Sequence, residues 1–262
     1  MTPARAPLRL TYIGGPTVLI EVAGLRLLTD PTFDPVGAEI RSGTYVLEKT
    51  EGPAIPAADL GHIDAVLLSH DHHFDNLDRA GREVLGSADR VLTTAAAVER
   101  LNGRSEALAP WQSVELRGAG GPVRVTGTPA RHGPAHMDRG PVIGFALEAQ
   151  GDPRAMYVSG DTVWYEGIAE VASRFSVGVA VLFMGAARVD AVGPWNLTMT
   201  AEEAVEAAHA LEGARIVPLH YAGWKHFSES RADIDRAFRA AGLGDRLVWL
   251  PPGQPTEVAP HP

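Results

Sequence analysis

The stretch Ala65-Val66-Leu67-Leu68-Ser69-His70-Asp71-His72-His73-Phe74-Asp75-Asn76-Leu77-Asp78 sets a short apolar run directly against three histidines and three aspartates. Four consecutive apolar residues read as a strand covered on both faces. The polar run then leaves that strand at its carboxyl end. His70 and His72 stand two apart, so an extended backbone would point both imidazoles the same way. Imidazole and carboxylate together suit zinc, manganese, iron or cobalt. The bland alternative is a solvated polar loop. A cluster this dense, emerging straight from a buried strand, argues for metal ligation instead.

Three other apolar runs end in the same manner. Val123-Arg124-Val125 leads to His132, Met156-Tyr157-Val158-Ser159 leads to Gly160-Asp161, and Ile216-Val217-Pro218-Leu219 ends at His220. Functional groups of layered α/β proteins gather beyond the carboxyl ends of strands, so these ends can share one rim. Further strands are read at 17–22, 25–28, 142–147 and 179–183. Thr200-Ala201-Glu202-Glu203 is a capping-box signature opening a helix that runs to Gly213. Ile234 and Phe238 share one helical face, and Ile168, Val171 and Phe175 predict a helix within 162–175. The pattern gives one α/β domain over residues 1–262, a sheet sandwich with helices outside. Asp30, after Leu27-Leu28-Thr29 and before Pro31, reads either as a turn residue or as a carboxylate that orients a ligand histidine.

Composition narrows the chemistry. The 262 residues are 45% hydrophobic and 21% charged, ordinary values for a globular chain that can build a core. No apolar run approaches the ~18 residues of a membrane span. The first ten residues lack the apolar centre of a signal peptide, so a cytoplasmic location is expected. The formal charge of −9 disfavours nucleic acid as a partner. Cysteine is absent, which excludes disulfides, thiolate zinc sites and a cysteine nucleophile. Any metal must therefore rest on histidine and oxygen ligands. No nucleophile elbow, phosphate loop or dinucleotide fingerprint competes.

These residues resemble the metallo-β-lactamase-fold hydrolases. Asp30 matches the family's strand-end aspartate, and residues 70–76 approximate its His-x-His-x-Asp-His motif. His132, Asp161 and His220 match its later histidine, Gly-Asp and final histidine. Within the superfamily the chain is most similar to the ascorbate-phosphate lactonase-like branch, related to the N-acylphosphatidylethanolamine phospholipase D type. Residues 17–31, 195–204 and 217–227 carry that similarity. The resemblance implies an αββα sandwich of two packed mixed sheets with helices on the outer faces. It also implies one metal held by His70, His72 and His132, and Asp161 bridging to a second metal bound by His220. One departure stands out. Counting back from Leu77-Asp78, His73 or Phe74 is a one-residue insertion, Asp75 takes the place of the family aspartate, and Asn76 that of a histidine. The second metal should then be held more loosely, unless His73 substitutes.

The expected cofactor is one or two divalent ions, zinc first, with manganese or iron as alternatives. The expected reaction is hydrolysis of a small ester, lactone or phosphoester, anionic substrates included, by metal-activated hydroxide, with Asp75 and Asp161 as catalytic carboxylates. Tyr221, Lys225 and His226 follow His220 and are candidates to contact substrate or protonate a leaving group, although surface or packing roles are the stronger reading for each. Arg131, His136 and Arg139 flank His132 and could meet an anion. Two other readings stay open: a nucleic-acid phosphodiesterase, and a non-enzymatic metal-binding regulator. Homo-oligomers are left open as well.

Overall fold

The computed structural model describes residues 7–42, 45–101, 103, 105–259 and 261. Strands β1 (Arg9–Gly14), β2 (Thr17–Val22), β3 (Leu25–Thr29), β4 (Glu39–Ser42), β5 (Tyr45–Glu48) and β6 (Ala65–Leu67) open the chain. Helix α1 (Arg79–Ser87), β7 (Arg90–Thr93), helix α2 (Ala95–Arg100) and β8 (Ser105–Ala107) follow. Next come β9 (Ser113–Gly118), β10 (Gly121–Pro129), β11 (Ile143–Ala149), β12 (Ala155–Val158), α3 (Glu166–Arg174) and β13 (Val177–Phe183). The last elements are α4 (Ala201–Ala210), β14 (Arg215–Leu219), α5 (Arg231–Ala240) and β15 (Thr256–Glu257).

Two mixed sheets face each other. One has the order β15-β1-β2-β3-β6-β7-β8, the other β14-β13-β12-β11-β10-β9. The pairs β3-β6, β6-β7 and β7-β8 are parallel, as are β12-β13 and β13-β14. Alternation along the strands explains the layering. Ala65 and Leu67 of β6 face the central core, whereas Val66 and Leu68 face outward. Val179, Val181 and Phe183 of β13 point inward, and Ala180 and Leu182 point to the opposite layer. That second face is covered by Ile168 and Val171 of α3, Ala204 and Ala207 of α4, and Ile234 and Phe238 of α5. Val84 of α1 joins the outer cluster on the first sheet. Each fully buried aliphatic side chain contributes about 1.5–3 kcal/mol, so a strand buried on both faces is firmly held. The layers are helix, sheet, sheet, helix, as expected.

The capping box at Thr200 and Glu203 is present at the start of α4. At its other end the Arg246 guanidinium donates to the carbonyls of Ala208, Leu211 and Ala214 at 2.7–2.8 Å, which satisfies helix-end acceptors ahead of β14. The helix expected within 162–175 begins only at Glu166. The preceding residues are tied sideways: Arg131 N–H donates to Thr162 Oγ1, and Val163 N–H to the Arg131 carbonyl. Among the described residues no helix is long and apolar enough to cross a membrane.

Candidate metal centre

β6, β10, β12 and β14 deliver His70, His132, Asp161 and His220 to one edge of the sandwich, and all four side chains are buried. They form two adjoining groups of ligand atoms, His70 with His73 and His132, and Asp75 with Asp161 and His220. His73 Nδ1 lies 3.0 Å from His70 Nε2 and 3.0 Å from His132 Nε2. Such spacing suits three nitrogens around one ion at about 2.0–2.1 Å. His132 Nδ1–H donates to the Leu197 carbonyl at 2.8 Å, which leaves the Nε2 lone pair facing the group.

Here the structure adds His73 to the residues read as ligands in 70–76. His72 was expected beside His70 and His132 in an extended segment. Asn76 and Leu77 both donate backbone hydrogen bonds to the His73 carbonyl, closing a turn. Alternation is lost in a turn, and His73 reaches the other two imidazoles. His72 stays alongside, its ring 4.9 Å from His70 and 4.3 Å from His73. Its Nε2–H donates to the Arg139 carbonyl at 2.7 Å, and its Nδ1 is buried without a partner.

Asp161 joins the two groups. Its Oδ2 is 3.4 Å from His132 Nε2, and its Oδ1 is 3.5 Å from His220 Nε2. Asp75 Oδ2 lies 3.4 Å from His220 Nε2 and accepts from His226 Nε2 at 3.0 Å. Asn76 Nδ2 donates to Asp161 Oδ1 at 3.1 Å. Close backbone approach makes this possible. A Cβ on Gly160, at φ +60°, would sit 2.6 Å from the Ile143 carbonyl oxygen and 2.9 Å from Ser69 Cβ. One on Gly185 would sit 2.5 Å from the His220 carbonyl oxygen. His220 itself has φ +54° and Asp30 φ +23°, strained values for non-glycine residues that cluster at functional sites.

A divalent ion fits these residues. His72 Nδ1, Asn76 Oδ1, Asp161 Oδ2 and His220 Nε2, the nitrogen beside Asp75 and Asp161, are buried without hydrogen-bond partners. Native proteins rarely leave such atoms unmatched, and a cation between them supplies the missing partner. Burial holds His70 well below its ordinary value, reinforced by His73, and it pushes His73 down to about 3. Both are therefore neutral, as ligation requires. Burial opposes charge on His220 as well, but Asp161 and Asp75 overcome it and raise the group to about 10. Although burial favours their neutral forms, His226 and His220 hold Asp75 well below the carboxylate range, and His220 does the same for Asp161.

A pH dependence follows. A raised histidine contributes stability that is complete below its unfolded value of 6.5 and is lost as pH rises through about 10. Thermal midpoints of the metal-free protein should fall across that window. The metal-loaded protein carries His220 already deprotonated and should lack this component. Both forms share the same lysines and tyrosines, so a steeper fall in the metal-free profile between pH 6.5 and about 10 is the expected result; identical profiles would refute the assignment.

The remaining candidates fall into place unequally. Asp30 is fully buried and accepts the Ser69 backbone N–H at 2.7 Å, so it fixes the chain just before His70. Burial, with Asp161 adding to it, raises its carboxyl well above the usual range, although the Ser69 bond opposes this. Tyr221 packs against Trp249 in the outer layer. Lys225 pairs with Glu48 on the surface. Arg131 stacks on Tyr165, His136 packs on Trp195, and Arg139 serves through its carbonyl. Phe227 packs 4.8 Å from the His220 ring. His226 borders a cavity of about 430 Å³ whose walls include Tyr45, Leu47, Arg188 and Phe227. An apolar hollow of about 470 Å³ elsewhere, lined by Leu8, Val22, Val179 and Val258, contains none of the ligand residues. Sequence reasoning missed Lys49, whose ammonium pairs with Asp78 at 2.9 Å beneath the ligand turn. No local motif announces it.

Comparison with known proteins agrees with this geometry. A metal-dependent hydrolase of the UPF0173 group from Opitutus terrae is 27% identical over 263 residues, spanning 96% of this chain and 100% of that protein. Its counterpart from Pelotomaculum thermopropionicum is 26% identical over 261 residues, with 96% and 100% covered. In three dimensions the chain is similar to a possible metal-dependent hydrolase from Veillonella parvula, with TM-score 0.82, 19% identity, and 97% and 100% of the two chains covered. It is also similar to an isothiocyanate hydrolase from Delia radicum gut bacteria, with TM-score 0.80, 23% identity, and 96% and 99% covered. Both structural likenesses speak to the αββα fold. The beta-lactamase superfamily domain matches residues 25–221, most of the chain and every candidate ligand from His70 to His220, so the protein belongs to the beta-lactamase superfamily.

Proposed function

We propose that the protein is a metal-dependent hydrolase acting on a small ester, lactone or phosphoester. The observation that carries this reading is the meeting of His70, His73, His132, Asp75, Asp161 and His220 at one buried edge, with ligand atoms left unmatched. A divalent ion held there supplies a Lewis acid for the scissile carbonyl or phosphoryl oxygen and lowers the pKa of water to about 7. The chain's own residues do the rest. His132 is oriented by Leu197, Asp161 presents one oxygen to each ligand group, and Asp75, kept ionised between His220 and His226, accepts hydrogen bonds from water. The cavity bordered by His226, whose Nε2 donates to Asp75, is of small-molecule size. Resemblance to the ascorbate-phosphate lactonase-like branch supports the same substrate classes, and the −9 charge speaks against nucleic acid.

Removal of metal is the direct test. Chelation should abolish hydrolysis of p-nitrophenyl esters, simple lactones or bis(p-nitrophenyl) phosphate, and zinc, manganese or iron should restore it. Inactivity of fully loaded protein across all of these classes would refute the proposal.

A further inference from the structure

The two ligand groups differ in kind. One offers imidazole nitrogen from His70, His73 and His132; the other offers carboxylate oxygen from Asp75 and Asp161 with a single imidazole from His220. Asn76 adds to the oxygen side. Its amide nitrogen donates to Asp161 Oδ1 at 3.1 Å, which sets the orientation of the amide. The amide oxygen is thereby fixed on the other side of the group. The residue is fully buried and that oxygen has no hydrogen-bond partner. A buried carbonyl without a donor is costly unless a cation meets it. Where an imidazole stands in the resembled motif, this chain presents a neutral oxygen.

Ligand softness then separates the two positions. Imidazole suits zinc, whereas carboxylate and amide oxygens suit manganese and magnesium. We propose that the centre is built for two unlike ions: a nitrogen-preferring ion such as zinc at His70, His73 and His132, and a harder ion such as manganese at Asp75, Asp161 and His220, with Asn76 contributing its amide oxygen. This rests on the metal-dependent reading above and goes beyond it. Zinc binds more tightly than manganese at most nitrogen and oxygen sites, so the claim concerns relative preference. The preference for zinc over manganese is much smaller at the second position than at the first.

The test loads the protein with one equivalent of zinc and titrates manganese, following the loss of the free-ion paramagnetic resonance signal. Elemental analysis after gel filtration counts what remains. The expected result is one zinc and one manganese per chain. Asn76→Ala should weaken manganese binding by at least about tenfold while the first zinc is retained. Asn76→His should also weaken manganese, and should tighten a second zinc by a similar factor. Retention of the first zinc shows that each variant is folded. Manganese that expels zinc, or Asn76 variants that bind both ions as the parent does, would overturn the proposal. None of these readouts uses turnover. A mixed centre in a protein that hydrolyses nothing would sink the hydrolase reading alone, and hydrolysis with two like ions would sink this one alone.

Discussion

Replacing Asp161 with alanine is expected to strip metal from both positions and to reduce hydrolysis to background. The argument is geometric. The two carboxylate oxygens of Asp161 face different groups, Oδ2 toward His132 at 3.4 Å and Oδ1 toward His220 at 3.5 Å. Its loss removes an anionic donor from each, and it frees the Asn76 amide that it holds. Removal of an outer hydrogen bond to a ligand costs roughly 10- to 100-fold in metal affinity or activity, and loss of the shared ligand should exceed that range. His220 would keep Asp75 as its only neighbouring anion of the pair, so its proton would be held less tightly. Metal content per chain, initial rates and far-ultraviolet circular dichroism together check the expectation. Asp161→Asn separates charge from shape: it keeps the side-chain volume but loses the anion, and should resemble the alanine variant in metal content. A folded Asp161→Ala protein that still carried its full metal complement would sink the bridging assignment.

Much of this centre is legible before any coordinates are considered, because it is written at strand ends. Apolar runs such as those before His70, Asp161 and His220 stop where the covering layers stop, so the next polar residues fall on a shared rim. The identity of the third imidazole is not legible in this way. Whether His73 joins His72 beside His70 depends on whether residues 73–77 run extended or turn, and the turn is closed by backbone bonds to a single carbonyl. Periodicity carries no signal for that choice. The late start of α3 has a similar origin, since Thr162 and Val163 spend their hydrogen bonds on the Arg131 loop and so hold Asp161 in place. Tyr221 reads as a candidate because it adjoins His220. The chain reverses there at a left-handed residue, and the next side chain points into a different layer. Proximity in sequence predicts little across a turn of that kind.

Lys49 shows the same limit from the stability side. Its ammonium is almost fully buried, as is the Asp78 carboxylate it meets at 2.9 Å. Burial lowers the lysine's pKa, and Asp78 opposes that shift. Asp78 also accepts backbone N–H groups from Phe33, Asp34 and Gly81 at 2.7–2.9 Å, so one carboxylate caps α1, anchors the chain after Asp30 and ends the ligand turn. Asp78→Ala therefore leaves three backbone donors and a buried cation without their acceptor. Breaking a buried pair from one side costs about 3–5 kcal/mol, and the loss here should reach that range. Lys49→Met should cost less, because the remaining carboxylate keeps its three backbone donors, each charge-assisted bond being worth about 1.5–3 kcal/mol. Adding Lys49→Met to Asp78→Ala should recover part of the loss by removing the stranded ammonium. Urea midpoints of the metal-loaded proteins measure all three. An Asp78→Ala variant within about 1 kcal/mol of the parent would refute the account, since a buried lysine next to a missing carboxylate cannot be that well tolerated unless water reaches it.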